Sequence, residues 1–202
     1  MNKWLGVILL LSTTLTIQAC APKAQDDCGF VQNVYGERIS WKGEIPVVMK
    51  IHDSVPEAYV PAILAAAESW NRTAGKTILK IDSTRISGAL EPRKDGQNII
   101  YMLSTWESNK STEQARTSVY WVGDVIQEAD IRINDKNFNF YTSDSGSHSD
   151  VSIEALILHE LGHVLGLKHK DTSGSVMATY LANGVDRTAV TDTDSTSLQC
   201  EY

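Results

Sequence analysis

His159-Glu160-Leu161-Gly162-His163-Val164-Leu165-Gly166-Leu167-Lys168-His169 begins as a helix and ends as a turn. Two histidines four apart on a helix stand one above the other on the same face, so both imidazoles can reach a single cation. His159 and His163 therefore read as metal ligands. Glu160 sits about 100° around the helix from His159, close enough to touch a water held by the metal without binding the metal itself. That is the place for a general base.

A catalytic zinc keeps three protein ligands and leaves one position for water, so a third donor is needed. His169 supplies it. Gly166 can take positive φ, ending the helix and turning the chain so that a residue three further on swings back to the metal. Three neutral imidazoles and a non-ligating glutamate suit hydrolysis through an activated water. A closed structural zinc site explains the histidines but gives Glu160 no role.

The pattern H-E-x-x-H-x-x-G-x-x-H, followed by Ser175-Val176-Met177, resembles the metzincin clan of zinc endopeptidases and, within it, the matrixin branch. The resemblance implies an α+β, metzincin-like zincin fold: a twisted, mostly parallel mixed β-sheet of about five strands with three helices. It implies one catalytic zinc held by His159, His163 and His169, with Glu160 as general base and Met177 lying under the three imidazoles. It also implies a protein or peptide substrate that pairs with an edge strand near the cleft. The other reading is a zinc-stabilised surface-binding lipoprotein without turnover.

Upstream of the motif, Asp150 reads as the N-cap of the active-site helix, whose Ile153, Leu156, Ile157 and Val164 face a core. Ile45–Ile51, Thr77–Ile81, Asn98–Leu103, Thr117–Val122 and Ala129–Asn134 read as strands, and Phe138 to Tyr141 as a short one. Ser54-Val55-Pro56-Glu57 has the form of a capping box before a helix from about Ala58 to Thr73, with Trp70 as core. Residues 104–117 are polar and read as an exposed loop, and His52 as a surface or half-buried histidine. Downstream, Tyr180 reads as a residue of the substrate cleft rather than a ligand. Asp192 to Gln199 reads as a last helix.

At the other end, Lys3 and the uncharged apolar run Trp4 to Ile17 form a leader, and Ile17-Gln18-Ala19-Cys20 resembles a bacterial lipobox. Residues 1–19 then read as a lipoprotein signal peptide, 20–29 as a tether and 30–202 as the catalytic domain. Cys20 would carry a lipid holding the protein to a membrane of the cell envelope; secretion after ordinary cleavage is the alternative. Cys28 and Cys200 remain as a pair able to form a disulfide in an oxidising compartment. Cys28-Gly29 also resembles the cysteine switch of matrixin propeptides. The net charge of −7 offers no basic footprint for nucleic acid, and the domain reads as a monomer. Asp135, Asp144 and Asp150 could contribute to calcium binding but lack a dense spacing, so calcium is left open. His148 stands alone and reads as a loop residue.

Overall fold

The computed structural model describes residues 24–142 and 149–202; the leader 1–19, Cys20, Asp144 and His148 lie outside the described residues. In chain order the elements are β1 (Val47–His52), α1 (Val60–Ala74), β2 (Leu79–Ile86), β3 (Asn98–Leu103), β4 (Ala115–Val122), β5 (Val125–Asn134), β6 (Phe140–Tyr141), β7 (Val151–Ser152), α2 (Ile153–Val164) and α3 (Asp192–Leu198). β2, β1, β3, β5 and β4 lie side by side in one five-stranded sheet, parallel except for β4 at its edge. The fold is α+β with a mostly parallel sheet and three helices. β6 and β7 form a short parallel pair leading into α2. Among the described residues no helix is long and apolar enough to cross a membrane.

Period-two alternation divides β3 between two cores. Ile100 and Met102 join the main core with α1 and α2, while Ile99, Tyr101 and Leu103 cluster with Trp106. Burial on both sides explains why this strand reads as a nearly unbroken apolar run. Ile63, Ala66, Ala67 and Trp70 form the buried stripe of α1. Trp70 is fully enclosed and its Nε1 donates to the Leu158 carbonyl of α2 at 2.8 Å, which sets the two helices against each other. Removing a ring of this size from water contributes roughly 3 kcal/mol.

Several local signals lose to longer-range partners. Ser54 and Glu57 form no capping box: a single 3-10 turn spans Glu57–Tyr59, and α1 starts from Tyr59 without a side-chain cap. Ser54 Oγ instead accepts from the Met102 amide at 3.0 Å, and Glu57 pairs with Arg85 at 2.9 Å. Ser54 also donates its amide to Nδ1 of His52, which is buried. The N-cap of α2 is Ser152 rather than Asp150, with Ser152 Oγ accepting from the Ala155 amide. Pairing of β7 with β6 keeps Val151 and Ser152 extended, so the helix starts later than its polar signal suggests. Residues 104–117 are not one exposed loop, because β4 begins at Ala115 and Trp106 is buried. The guanidinium carbons of Arg116 and Arg132 lie 5.7 and 5.3 Å from the Trp106 ring centroid, a cation–π pair that covers it.

Cys28 and Cys200 are joined by a disulfide across 172 residues of sequence. Closing so long a loop lowers the entropy of the unfolded chain by an amount worth a few kcal/mol in the loop-closure picture. A thiol so engaged cannot also serve as a switch on the metal.

Candidate metal centre and active site

α2 presents His159 and His163 one turn apart, and His169 returns to them after the turn at Gly166, φ +99°. Nδ1 of His159 donates to the Val176 carbonyl at 2.8 Å, and Nδ1 of His163 to the Leu167 carbonyl at 2.7 Å. A ring nitrogen facing a carbonyl must carry the proton, so each Nε2 is left with a bare lone pair. Nε2 of His163 lies 3.1 Å from Nε2 of His159 and 3.2 Å from Nε2 of His169.

The first of those separations brings two lone pairs together with no proton to share. A cation among them removes the repulsion. Tetrahedral ligation at zinc–nitrogen distances near 2.0–2.1 Å sets the donor nitrogens about 3.3–3.4 Å apart, close to the spacing seen. Burial pushes the His159 and His163 imidazoles down to about 4, so both are neutral at pH 7, as ligation requires. Among the described residues these three histidines are the one group able to hold a metal; Asp135 and Asp150 join no such group.

Gly166 does more than turn the chain. A Cβ there would overlap the carbonyl oxygen of Ile39, so the close approach and the positive φ both require glycine. Gly162, inside the motif but assigned no role from sequence, has a comparable reason to be there. A Cβ on it would overlap the Met177 sulfur and press on Trp70, so its bare backbone makes the space in which Met177 sits under α2. Gly162→Ala is expected to displace both side chains. The overpacking cost of about 1–3 kcal/mol exceeds the roughly 1 kcal/mol of helix propensity that alanine contributes. Denaturant unfolding should show a net loss near 1 kcal/mol; a stabilised variant would mean that Met177 slides aside freely.

Two further residues of the site escaped the sequence reading. Thr117 on β4 donates its hydroxyl to Glu160 Oε2 at 2.5 Å. Nothing local marks Thr117, since the contact joins a strand and a helix 43 residues apart. Asp194 on α3 is buried and holds the turn Ser175-Val176-Met177. Its Oδ1 accepts from Ser175 Oγ at 2.5 Å, and its Oδ2 from the Val176 amide at 3.0 Å and from Thr191 Oγ1 at 2.7 Å. The helix from Asp192 was legible, but not the role of its Asp194 in supporting Ser175 and Val176, 19 and 18 residues upstream.

Glu160 is 4% exposed, and burial raises its carboxyl above the ordinary value, against the pull of His163 and the Thr117 hydroxyl. A cavity of about 550 Å³ opens in front of it and the three histidines. One wall is β4, the sheet edge, through Ala115, Thr117, Val119 and Trp121; another is Ala178 to Leu181 after Met177. Gln114 Nε2 donates to the Leu181 carbonyl at 3.0 Å and joins these walls. Tyr180 lines the cavity, is largely exposed, and is not part of the metal-capable group. β5, which carries Ala129–Asn134, lies inside the sheet, so the edge open to the cleft is β4.

A peptidase-family model described as Matrixin matches residues 27–202 of the chain. No curated protein matches it.

Proposed function

Since the chain belongs to the matrixin family, a family of zinc metallopeptidases, we propose that it is an endopeptidase hydrolysing internal bonds of protein or peptide substrates. The observation that carries this reading is the convergence of three imidazole Nε2 atoms beside a buried glutamate at the floor of an open cleft.

In this mechanism His159, His163 and His169 would hold one zinc, the turn at Gly166 delivers the third of them, and Met177 packs against Gly162 of α2. Zinc, when bound there, supplies Lewis acidity that makes water acidic near neutral pH and polarises a scissile carbonyl. An extended substrate adds to the free edge of β4, its backbone pairing with residues 115–121 across the cavity. Glu160 takes the proton of the attacking water and returns it to the leaving nitrogen, so no covalent intermediate with the protein is formed. Thr117 holds Oε2, which leaves Oε1 for that transfer.

The proposal extends to location. Residues 1–19 are removed on export and Cys20 carries a lipid; the Cys28–Cys200 disulfide supports an oxidising compartment. Intact mass of the mature protein separates this from secretion after ordinary cleavage.

The activity is tested by removing the metal. The protein as isolated should carry one zinc and cleave a quenched random peptide library; chelation should abolish cleavage, and one equivalent of zinc should restore it. Cleavage that survives complete zinc removal overturns the mechanism. One zinc with no cleavage of any library member would identify a zinc-stabilised binding protein instead.

A further inference from the structure

The turn that delivers His169 takes its tertiary hydrogen bonds from two segments distant in sequence, residues 29–41 and the last residue, Tyr202. The Val164 carbonyl accepts from Trp41 Nε1 at 2.8 Å, the Leu165 carbonyl from the Tyr202 hydroxyl at 2.8 Å, and the Gly166 carbonyl from the Val31 amide at 2.9 Å. The Lys168 amide donates to the Gly29 carbonyl at 2.8 Å, Phe30 bridges Leu167, and Lys168 Nζ reaches Asp27 at 2.8 Å. These two segments are also tied to each other. Cys28 is bonded to Cys200, the Glu201 carboxylate receives Arg38 and Lys42, and the Trp41 amide donates to the Tyr202 hydroxyl.

We propose that this closure, locked by the Cys28–Cys200 disulfide, is a positioning device for His169, and that reducing the disulfide lowers the affinity of the protein for zinc. The inference rests on the zinc centre proposed above. His159 and His163 are placed by the backbone of α2, and their rings are oriented by the Val176 and Leu167 carbonyls. His169 lies past Gly166 and is exposed, so its approach depends on the backbone on either side: residues 165–168 before it, and Lys170 after it, whose amide donates to the Met177 carbonyl at 2.8 Å. The stretch before it takes most of its tertiary hydrogen bonds from residues 29–31 and from Tyr202. A strap of so few residues is marginal by itself, and the disulfide keeps it near its partners.

Reduction needs a dithiol. Its thiolate attacks one sulfur, the bond between Cys28 and Cys200 breaks, and its second thiol displaces the mixed disulfide. The dithiol leaves oxidised to its own disulfide, and Cys28 and Cys200 each end as a protonated thiol.

The test uses the full chain in oxidised form, after reduction by a phosphine, and as Cys28→Ser/Cys200→Ser. The phosphine takes oxygen from water to become its oxide and leaves both cysteines as thiols. Zinc dissociation constants are read by competition with a chromophoric chelator, and amide hydrogen exchange is followed on the metal-free protein. Reduction and the double variant should each weaken zinc binding by about 10- to 100-fold, the range for loss of groups that orient ligands. The amides of Val31 and Lys168 should exchange faster while those of α2 keep their protection. Tyr202→Phe, which keeps the disulfide and removes one hydroxyl, should weaken zinc binding by a smaller factor, and tests the idea even where the double variant does not fold.

Zinc affinity unchanged within twofold on reduction, with Val31 and Lys168 still protected, overturns the inference and leaves the zinc centre standing. Loss of protection throughout α2 also overturns it, because the disulfide would then support the whole fold rather than His169. Failure of the oxidised parent to bind zinc overturns the zinc centre itself, and the inference with it.

Discussion

Glu160→Gln should retain one zinc per chain while kcat/KM falls by about 10²–10⁴, the usual contribution of a positioned general base. Glutamine has the same shape, and its carbonyl can still accept the Thr117 hydroxyl that now bonds to Oε2. It cannot take a proton from water at neutral pH. The substitution should not cost stability, because burial disfavours a charged carboxylate at a site 4% exposed, and the amide carries no charge to desolvate. Metal analysis, thermal unfolding and peptide cleavage on one preparation decide the matter. Loss of zinc would make Glu160 a ligand, and turnover within threefold of the parent would remove it from the chemistry.

Gly166→Ala should be the most damaging single change in the metal-bearing turn. Two costs coincide. An alanine held at φ +99° carries the penalty of left-handed backbone, about 1–2 kcal/mol, and its Cβ overlaps the Ile39 carbonyl oxygen. Backbone cannot rotate away as a side-chain tip can, so residue 39 or the turn must move, and a total near 4 kcal/mol is expected. That is a large part of the stability of a domain this size. Gly43→Ala serves as the control, since Gly43 has φ +102° but nothing within 4 Å of its Cβ position. It should lose only the backbone penalty and keep its zinc affinity, whereas Gly166→Ala should lose zinc affinity and denaturant midpoint together. Equal losses in both variants would show that the approach to Ile39 is unimportant.

The two experiments ask different things of the motif. Glu160 is tested for chemistry in an intact scaffold, and Gly166 for the scaffold that makes the chemistry possible.

The long apolar elements were the readable part of the fold. β3 was placed at Asn98–Leu103, α1 within two residues at each end, and the last helix within one. Hydrophobic periodicity reports burial, and burial is what the sheet and helices have in common. Caps were read less well. Ser54, Glu57 and Asp150 each carry a polar side chain suited to a helix start, but distant partners take the side chains of Ser54 and Glu57, and a strand pairing holds the backbone just after Asp150. Such signals are worth about 1 kcal/mol, too little to override a strand pairing.

Within the site, the histidine and glutamate positions were legible because they share one helix and one turn, where a spacing of four residues already means proximity. Gly162, Thr117 and Asp194 were not. Each acts on a residue brought to it by packing: Gly162 on Met177, Thr117 on Glu160, Asp194 on Ser175 and Val176. Residues 27–41 and Tyr202, which supply the hydrogen bonds of the turn before His169, lie more than 30 residues away in sequence. Local order, set by helix period and glycine's freedom at φ > 0, could therefore be written from the chain alone: two imidazoles on one face, a glutamate beside them, a turn toward a third. Which edge of the sheet borders the cleft, what supports the methionine turn, and how residues 29–41 and Tyr202 hold the third histidine follow from contacts between segments distant in sequence. No period or spacing encodes such contacts, because they form only when the whole core closes.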